Sequence, residues 1–140
     1  MALHKQAFAF TVLPPLAITA ILYFMRPPLW DAMRIAGLAM TIFGIGLLTV
    51  ARAQLGNSFS ITTQARALVT SGLYSKIRHP VYVFSAIGIA GLLLYLGMPM
   101  LLLLLVIVVP MQVLRARAEE KVLEEKFGDE FRAWKKTTWF

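Results

Sequence analysis

The sequence predicts an all-α integral membrane protein with about four transmembrane helices, a cytosolic loop and a C-terminal amphipathic helix. Three observations predict it. The 140-residue chain is 59% hydrophobic with a mean hydropathy of +0.71, above the roughly 45–50% apolar usage of soluble domains. Its apolar residues gather into four runs separated by turn signals or polar segments. Its basic residues gather on one side of those runs. A chain of this length makes one domain, residues 1–140.

The first run is Ala7–Met25, close to the roughly 20 residues that cross a hydrocarbon core. Pro14-Pro15 interrupts it, and no clear small-residue cleavage site precedes Arg26-Pro27-Pro28. It therefore reads as a kinked membrane helix and not as a signal peptide. The second run is Leu29–Val50. Asp31 and Arg34 sit in its first turns, within snorkelling reach of the interface. Gly37, Gly44 and Gly46 give it small surfaces for close helix contact, and such faces would also allow a homo-oligomer.

Residues 51–80 form a polar connection rich in Gly, Asn, Ser and Thr. At about 30 residues it is long for a structureless loop, which is itself a functional signal. Val81–Gly97 and Met100–Leu114 are the third and fourth runs, joined by the short Gly97-Met98-Pro99 turn as an antiparallel hairpin. The five leucines Leu101–Leu105 face lipid or core. The tail, 115–140, then interleaves charge with apolar residues at 114, 118, 122 and 123, a helical period. Gly128 stops that helix. A shorter helix over Asp129–Lys135 follows, with Phe131, Trp134 and Trp139 as membrane-interface anchors.

With four spans, the N-terminus, the 51–80 loop and the tail share one side. That side carries twelve of the fourteen Lys and Arg residues, and the other carries Arg26 and Arg34. The positive-inside rule makes the richer side cytosolic. A net charge of +7 beside apolar spans points to anionic membrane lipids and not to nucleic acid. There is no cysteine, so disulfides and thiolate chemistry are excluded. His4 and His79 lie far apart, and no metal-ligand spacing occurs.

The loop and the tail hold the chemistry. The loop offers Asn57, Phe59, Tyr74, Arg78, His79, Pro80 and Tyr82; the tail offers Arg115, Arg117, Glu119, Glu120 and Glu124. Such a mixture suits a zwitterionic ligand: a carboxylate pairs with Arg or His, an ammonium pairs with Glu, and a sulfonium sits on tyrosine faces. Glu119 and Glu120 point about 100° apart on a helix, so they take different roles, with Glu120 the inward one beside the apolar stripe. The bland readings are a helix-start Pro80, a solvated glutamate face, and Arg115 and Arg117 as headgroup anchors.

The order of motifs is more specific. N-x-F at Asn57–Phe59, LVTSGLY at 68–74, RHPVY at 78–82, a helical hairpin, then R-x-x-x-E-E-x-x-L-x-x-x-F-G-x-E-F at 115–131 resembles the isoprenylcysteine carboxyl methyltransferase family of small integral membrane methyltransferases. The resemblance covers about residues 50–135. Phe131 and Trp134 stand where tyrosines are common, and the chain has fewer spans than larger members. The resemblance implies S-adenosylmethionine as cofactor and methyl transfer at the cytosolic face. It implies that His79, Pro80 and Tyr82 line the cofactor site, with the backbone near Leu68, Val69 and Tyr74 on the adenosine. It implies Glu119 or Glu120 on the cofactor's amino end or orienting the nucleophile, and Arg78 and Arg115 against carboxylates; with Glu120 the inward one, Glu119 is assigned to the cofactor and Glu120, Arg78 and Arg115 to the catalytic set. The acceptor is a small amphiphilic or lipophilic molecule: a carboxylate, amine, thiol or lipid. Two other classes remain in view: a membrane sterol or enone reductase using NADPH, and a non-catalytic four-helix membrane protein.

Overall fold

The computed structural model describes residues 2–55 and 68–139. Asn57, Phe59 and Arg66 therefore lie outside the described residues. The elements are α1 (Ala2–Phe24), α2 (Ala32–Leu55), a 3-10 turn at Gly72–Ser75, α3 (Pro80–Tyr95), a second 3-10 turn at Pro99–Leu104, α4 (Leu105–Phe127) and α5 (Asp129–Thr137). All four apolar runs are helical. Two helical stretches are long and apolar enough to cross a membrane, α2 and the continuous stretch Pro99–Phe127. The apolar parts of α1 and α3 are shorter, Phe8–Phe24 and Pro80–Tyr95. Long helices whose apolar side chains stay exposed need a lipid phase to cover them, so the protein is an integral membrane helical assembly.

The most extensive helix contact is α2 against α3. Small residues make it. A Cβ on Gly44 would stand 2.5 Å from the Gly88 nitrogen, and one on Gly91 2.5 Å from the Thr41 nitrogen. The backbones touch because nothing stands between them, which replaces the missing hydrophobic drive in lipid with dispersion. Gly37 lies in the same seam against Gly91 and Tyr95. Gly46 faces open space, so the third expected contact glycine is not part of this packing. Thr41, fully buried in the seam, satisfies its hydroxyl on the Gly37 carbonyl at 2.8 Å.

Caps and turns set the ends. The Asp31 carboxylate accepts from the Arg34 amide at 2.8 Å and opens α2. At the far end of α3, Met98 N bonds Leu93 O at 2.9 Å and Gly97 N bonds Leu94 O at 3.1 Å. That is the Schellman pattern, with Gly97 at φ 73 in the left-handed position. Tyr95 beside it donates to the Leu22 carbonyl at 2.6 Å and ties α3 to the end of α1.

Two further expectations are corrected. The polar loop does not begin at 51: α2 continues to Leu55, and Ala51 is fully buried. Phe131 and Trp134 are not interface anchors; they are buried at 1% and 7% exposure. The cause is one turn. Gly128, at φ 55, ends α4 and lets α5 double back. The apolar side of α5 then meets Ala51 and Tyr74, with Leu68, Val69, Leu123 and Phe127 around them. Trp139 stays exposed.

Gly44→Ala pushes a methyl against backbone and is expected to destabilise by about 1–3 kcal/mol, as overpacking does. Gly46→Ala is expected within about 0.5 kcal/mol of the parent, with a slight gain from helix propensity. Thermal unfolding of the two variants in one detergent checks the contrast.

Candidate functional site

The site is assembled by α5. Trp134 Nε1 donates to the Tyr74 carbonyl at 2.7 Å, and the Trp139 amide donates to the Lys76 carbonyl at 2.7 Å. From the other side, Gln54 at the end of α2 accepts from the Leu73 amide at 2.9 Å. The short segment 68–79 is thus fixed between α2 and α5, with Leu68, Val69, Leu73 and Tyr74 in one cluster.

Charge completes the connection. Glu120 on α4 accepts from Arg78 Nε at 2.8 Å and pairs with His79 Nε2 at 2.9 Å, both on Oε1, while Lys135 Nζ reaches Oε2 at 3.2 Å. Arg78 also donates to the Thr138 hydroxyl at 2.7 Å. One carboxylate therefore joins α4, the start of α3 and α5. Glu120 lies in the charged half of α4, beyond the apolar segment. Its partial burial raises the carboxyl pKa, but the hydrogen bonds from His79, Arg78 and Lys135 outweigh that and bring it from 4.5 to about 2.

Beside this network lies a cavity of about 270 Å³, lined by Phe10, Arg52, Leu55, Tyr74, Arg78, His79, Val81, Tyr82, Arg115 and Glu119. Tyr82 donates its hydroxyl to Glu119, which Arg115 Nε also approaches at 3.3 Å. The His79 and Tyr82 rings lie 5.8 Å apart. The Tyr74 hydroxyl is buried with no hydrogen-bond partner among the described residues. Burial raises its phenol above the ordinary range, and Glu119 and Tyr82 add to that, so it is a neutral donor at every physiological pH.

Six residues singled out by the sequence meet at this cavity: Tyr74, Arg78, His79, Tyr82, Arg115 and Glu119. Six others among the described residues do not line it: Leu68, Val69, Pro80, Glu120, the exposed Arg117, and Glu124, which pairs with Arg132 at 3.2 Å. Leu68 and Val69 pack in the cluster behind Tyr74. Pro80 is buried at the first position of α3. Glu120 is turned inward as expected, but onto Arg78, His79 and Lys135. The two glutamates divide as their angular separation requires, one on the network and one on the cavity. Sequence reasoning missed Phe10, Leu55 and Val81, which carry no polar signal. It also missed Arg52, counted only as a topological charge.

The lining can hold a zwitterion. Arginines suit a carboxylate, Glu119 an ammonium, and the tyrosine faces a sulfonium. Phe10, Leu55 and Val81 offer an apolar wall for a purine. The orphaned Tyr74 hydroxyl is a donor awaiting an acceptor, since a buried polar group without a partner is costly. The donor set thus fits S-adenosylmethionine. The cavity volume sits just below the roughly 300–1,000 Å³ of small-molecule pockets.

Folding depresses the Glu120 pKa, so its stabilisation is present above about 4.5 and is lost as pH falls toward about 2. Glu120→Gln is expected to melt several degrees below the parent at pH 7. That gap should hold down to about pH 5 and close between pH 4.5 and 2. Melting curves of both proteins across that range test it; a gap independent of pH would show that the carboxylate charge is not the cause.

The family model of phospholipid methyltransferases matches residues 32–130, about seven tenths of the chain. It covers α2, the 68–79 segment, α3, α4 and the first turn of α5. No curated protein matches the chain. The match is to this related family of small membrane methyltransferases and not to the isoprenylcysteine carboxyl methyltransferases that the motif order resembles. The coarser expectation stands: an S-adenosylmethionine-dependent methyltransferase in a membrane. The chain belongs to the phospholipid methyltransferase family.

Proposed function

We propose that the protein transfers a methyl group from S-adenosylmethionine to a small amphiphilic or lipophilic acceptor at the cytosolic face of a membrane. The observation that carries this is the meeting of the 68–82 segment and the charged half of α4 around one cavity. In this reading the chain spans the bilayer four times, over about 7–25, 29–50, 81–97 and 100–114. The loop and both termini are cytosolic, as the basic residues of the loop and tail favour. The cavity then sits at the membrane edge, where a lipid headgroup can reach it. The family's description makes a phospholipid headgroup the leading acceptor, ahead of a free carboxylate, amine or thiol.

The bound cofactor supplies an electrophilic methyl on a sulfonium. Arg78 and Arg115 would hold its carboxylate, Glu119 its ammonium, and Tyr74 and Tyr82 the sulfonium and the adenosine hydroxyls. Phe10, Leu55 and Val81 exclude water from the reacting face. Such a site works by alignment, which can lower a barrier by about 7–11 kcal/mol. A carboxylate acceptor arrives ionised. An amine must shed a proton, and His79, on the cavity wall, is the group placed to receive it. Glu120, held by Arg78, Lys135 and the His79 ring, serves instead to position Arg78 and His79.

Calorimetry in detergent tests the reading. The wild type is expected to bind S-adenosylmethionine. Glu119→Gln and Tyr82→Phe are each expected to weaken that binding about tenfold or more, the scale of a hydrogen bond to a charged group, with melting temperatures near the parent. Binding of NADPH in place of the adenosyl cofactor would sink the proposal.

A further inference from the structure

The proline pair of α1 has a consequence at the cavity. α1 stays helical through Pro14 and Pro15. Proline has no N–H, so the carbonyl four residues earlier loses its helical donor. For Pro14 that carbonyl is Phe10 O, and for Pro15 it is Thr11 O. Inside a membrane helix a freed carbonyl has to be satisfied by a neighbouring helix. Here the neighbour is α2: the Arg52 guanidinium, in its last turn, donates Nη1 to Phe10 O. Both residues line the cavity. A hydroxyl would have been enough to satisfy one carbonyl. A guanidinium brings in addition a permanent charge and a planar fork that matches carboxylate and phosphate.

We propose that Arg52 recognises the anionic group of the cavity's ligand, and that Pro14 is a positioning residue that holds Arg52 there through the freed Phe10 carbonyl. The proposal rests on the cavity being the ligand site and adds Arg52 to Arg78 and Arg115 among the groups that meet its anion. The anion is a carboxylate or a phosphate: the carboxylate of the cofactor, or the phosphodiester of a lipid acceptor. The proline inside α1 is then part of the specificity of the site.

The experiment is a double-mutant cycle read by binding. Wild type, Arg52→Gln, Pro14→Ala and the double variant are titrated in detergent with three probes. These are S-adenosylmethionine, 5′-methylthioadenosine, which lacks the amino-acid end, and dihexanoyl phosphatidylethanolamine as a phosphodiester lipid. Arg52→Gln is expected to weaken one of the two anionic probes about tenfold or more and to leave 5′-methylthioadenosine within about twofold; the probe affected identifies the source of the anion. Pro14→Ala restores an N–H to Phe10 O and releases Arg52. It should weaken the same probe while keeping or raising the melting temperature, so misfolding cannot account for its loss. The double variant should bind no more weakly than Arg52→Gln, because both changes break one unit. Arg52→Lys, which retains the charge but not the fork, should fall between wild type and Arg52→Gln, and it carries the test if Arg52→Gln does not fold. Unchanged binding of both anionic probes in the Arg52 variants overturns the proposal, as does full additivity with Pro14→Ala. Failure of the wild type to bind S-adenosylmethionine would instead overturn the methyltransferase reading.

Discussion

The Glu120 carboxylate is the point on which the charged end of the molecule depends. It lies on α4, yet its partners are Arg78 and His79 at the start of α3 and Lys135 on α5. Three segments distant in sequence are thereby brought to one place. A carboxylate drawn out of water without partners would be strongly unfavourable; three cationic or hydrogen-bonding partners reverse the balance and leave it ionised. Removing any partner leaves the others poorly satisfied, so the network behaves as a unit. Arg78 passes the constraint on to Thr138, and Trp134 and Trp139 fasten α5 to the same segment.

That arrangement accounts for the contrast between the two ends of the fold. At the apolar end, α2 and α3 need only glycines and Thr41 to lie against one another, and Tyr95 tethers α1. Dispersion between backbones is enough there. At the charged end, directional bonds add to the apolar cluster around Tyr74, Phe131 and Trp134 and hold the same segments. Directional bonds fix angles as well as distances, which is what a methyl-transfer site requires of the groups that align its two reactants. The cavity forms at the second end, where Glu119, Tyr82 and Arg115 are kept beside Tyr74 by neighbours that are already engaged.

Much of this was legible in the residues. The four apolar runs gave four helices, Gly128 gave the break, and the order of RHPVY and the EE-containing tail brought the loop and tail together. Glu119 and Glu120 separated as helix geometry demands. What was not legible depended on contacts between elements. Trp134 and Phe131 carry the same aromatic signature whether they face headgroups or a core, and only the return of α5 onto Tyr74 decides between them. Ala51 and Leu55 look like the start of a loop until a partner buries them. Arg52 reads as one more basic residue near a span until α1 places the Phe10 carbonyl beside it. Pro14 signalled a disruption of hydrogen bonding, but not which neighbour would answer it.

The central claim is that the 68–82 segment and the charged half of α4 form one cofactor site. An experimental structure with S-adenosylhomocysteine tests it most directly. The account predicts ligand density in the cavity between Tyr74, Tyr82 and Glu119, with the Tyr74 hydroxyl now donating to the ligand. Density bound elsewhere, with Tyr74 still unpartnered and the cavity filled by lipid or solvent, would contradict it.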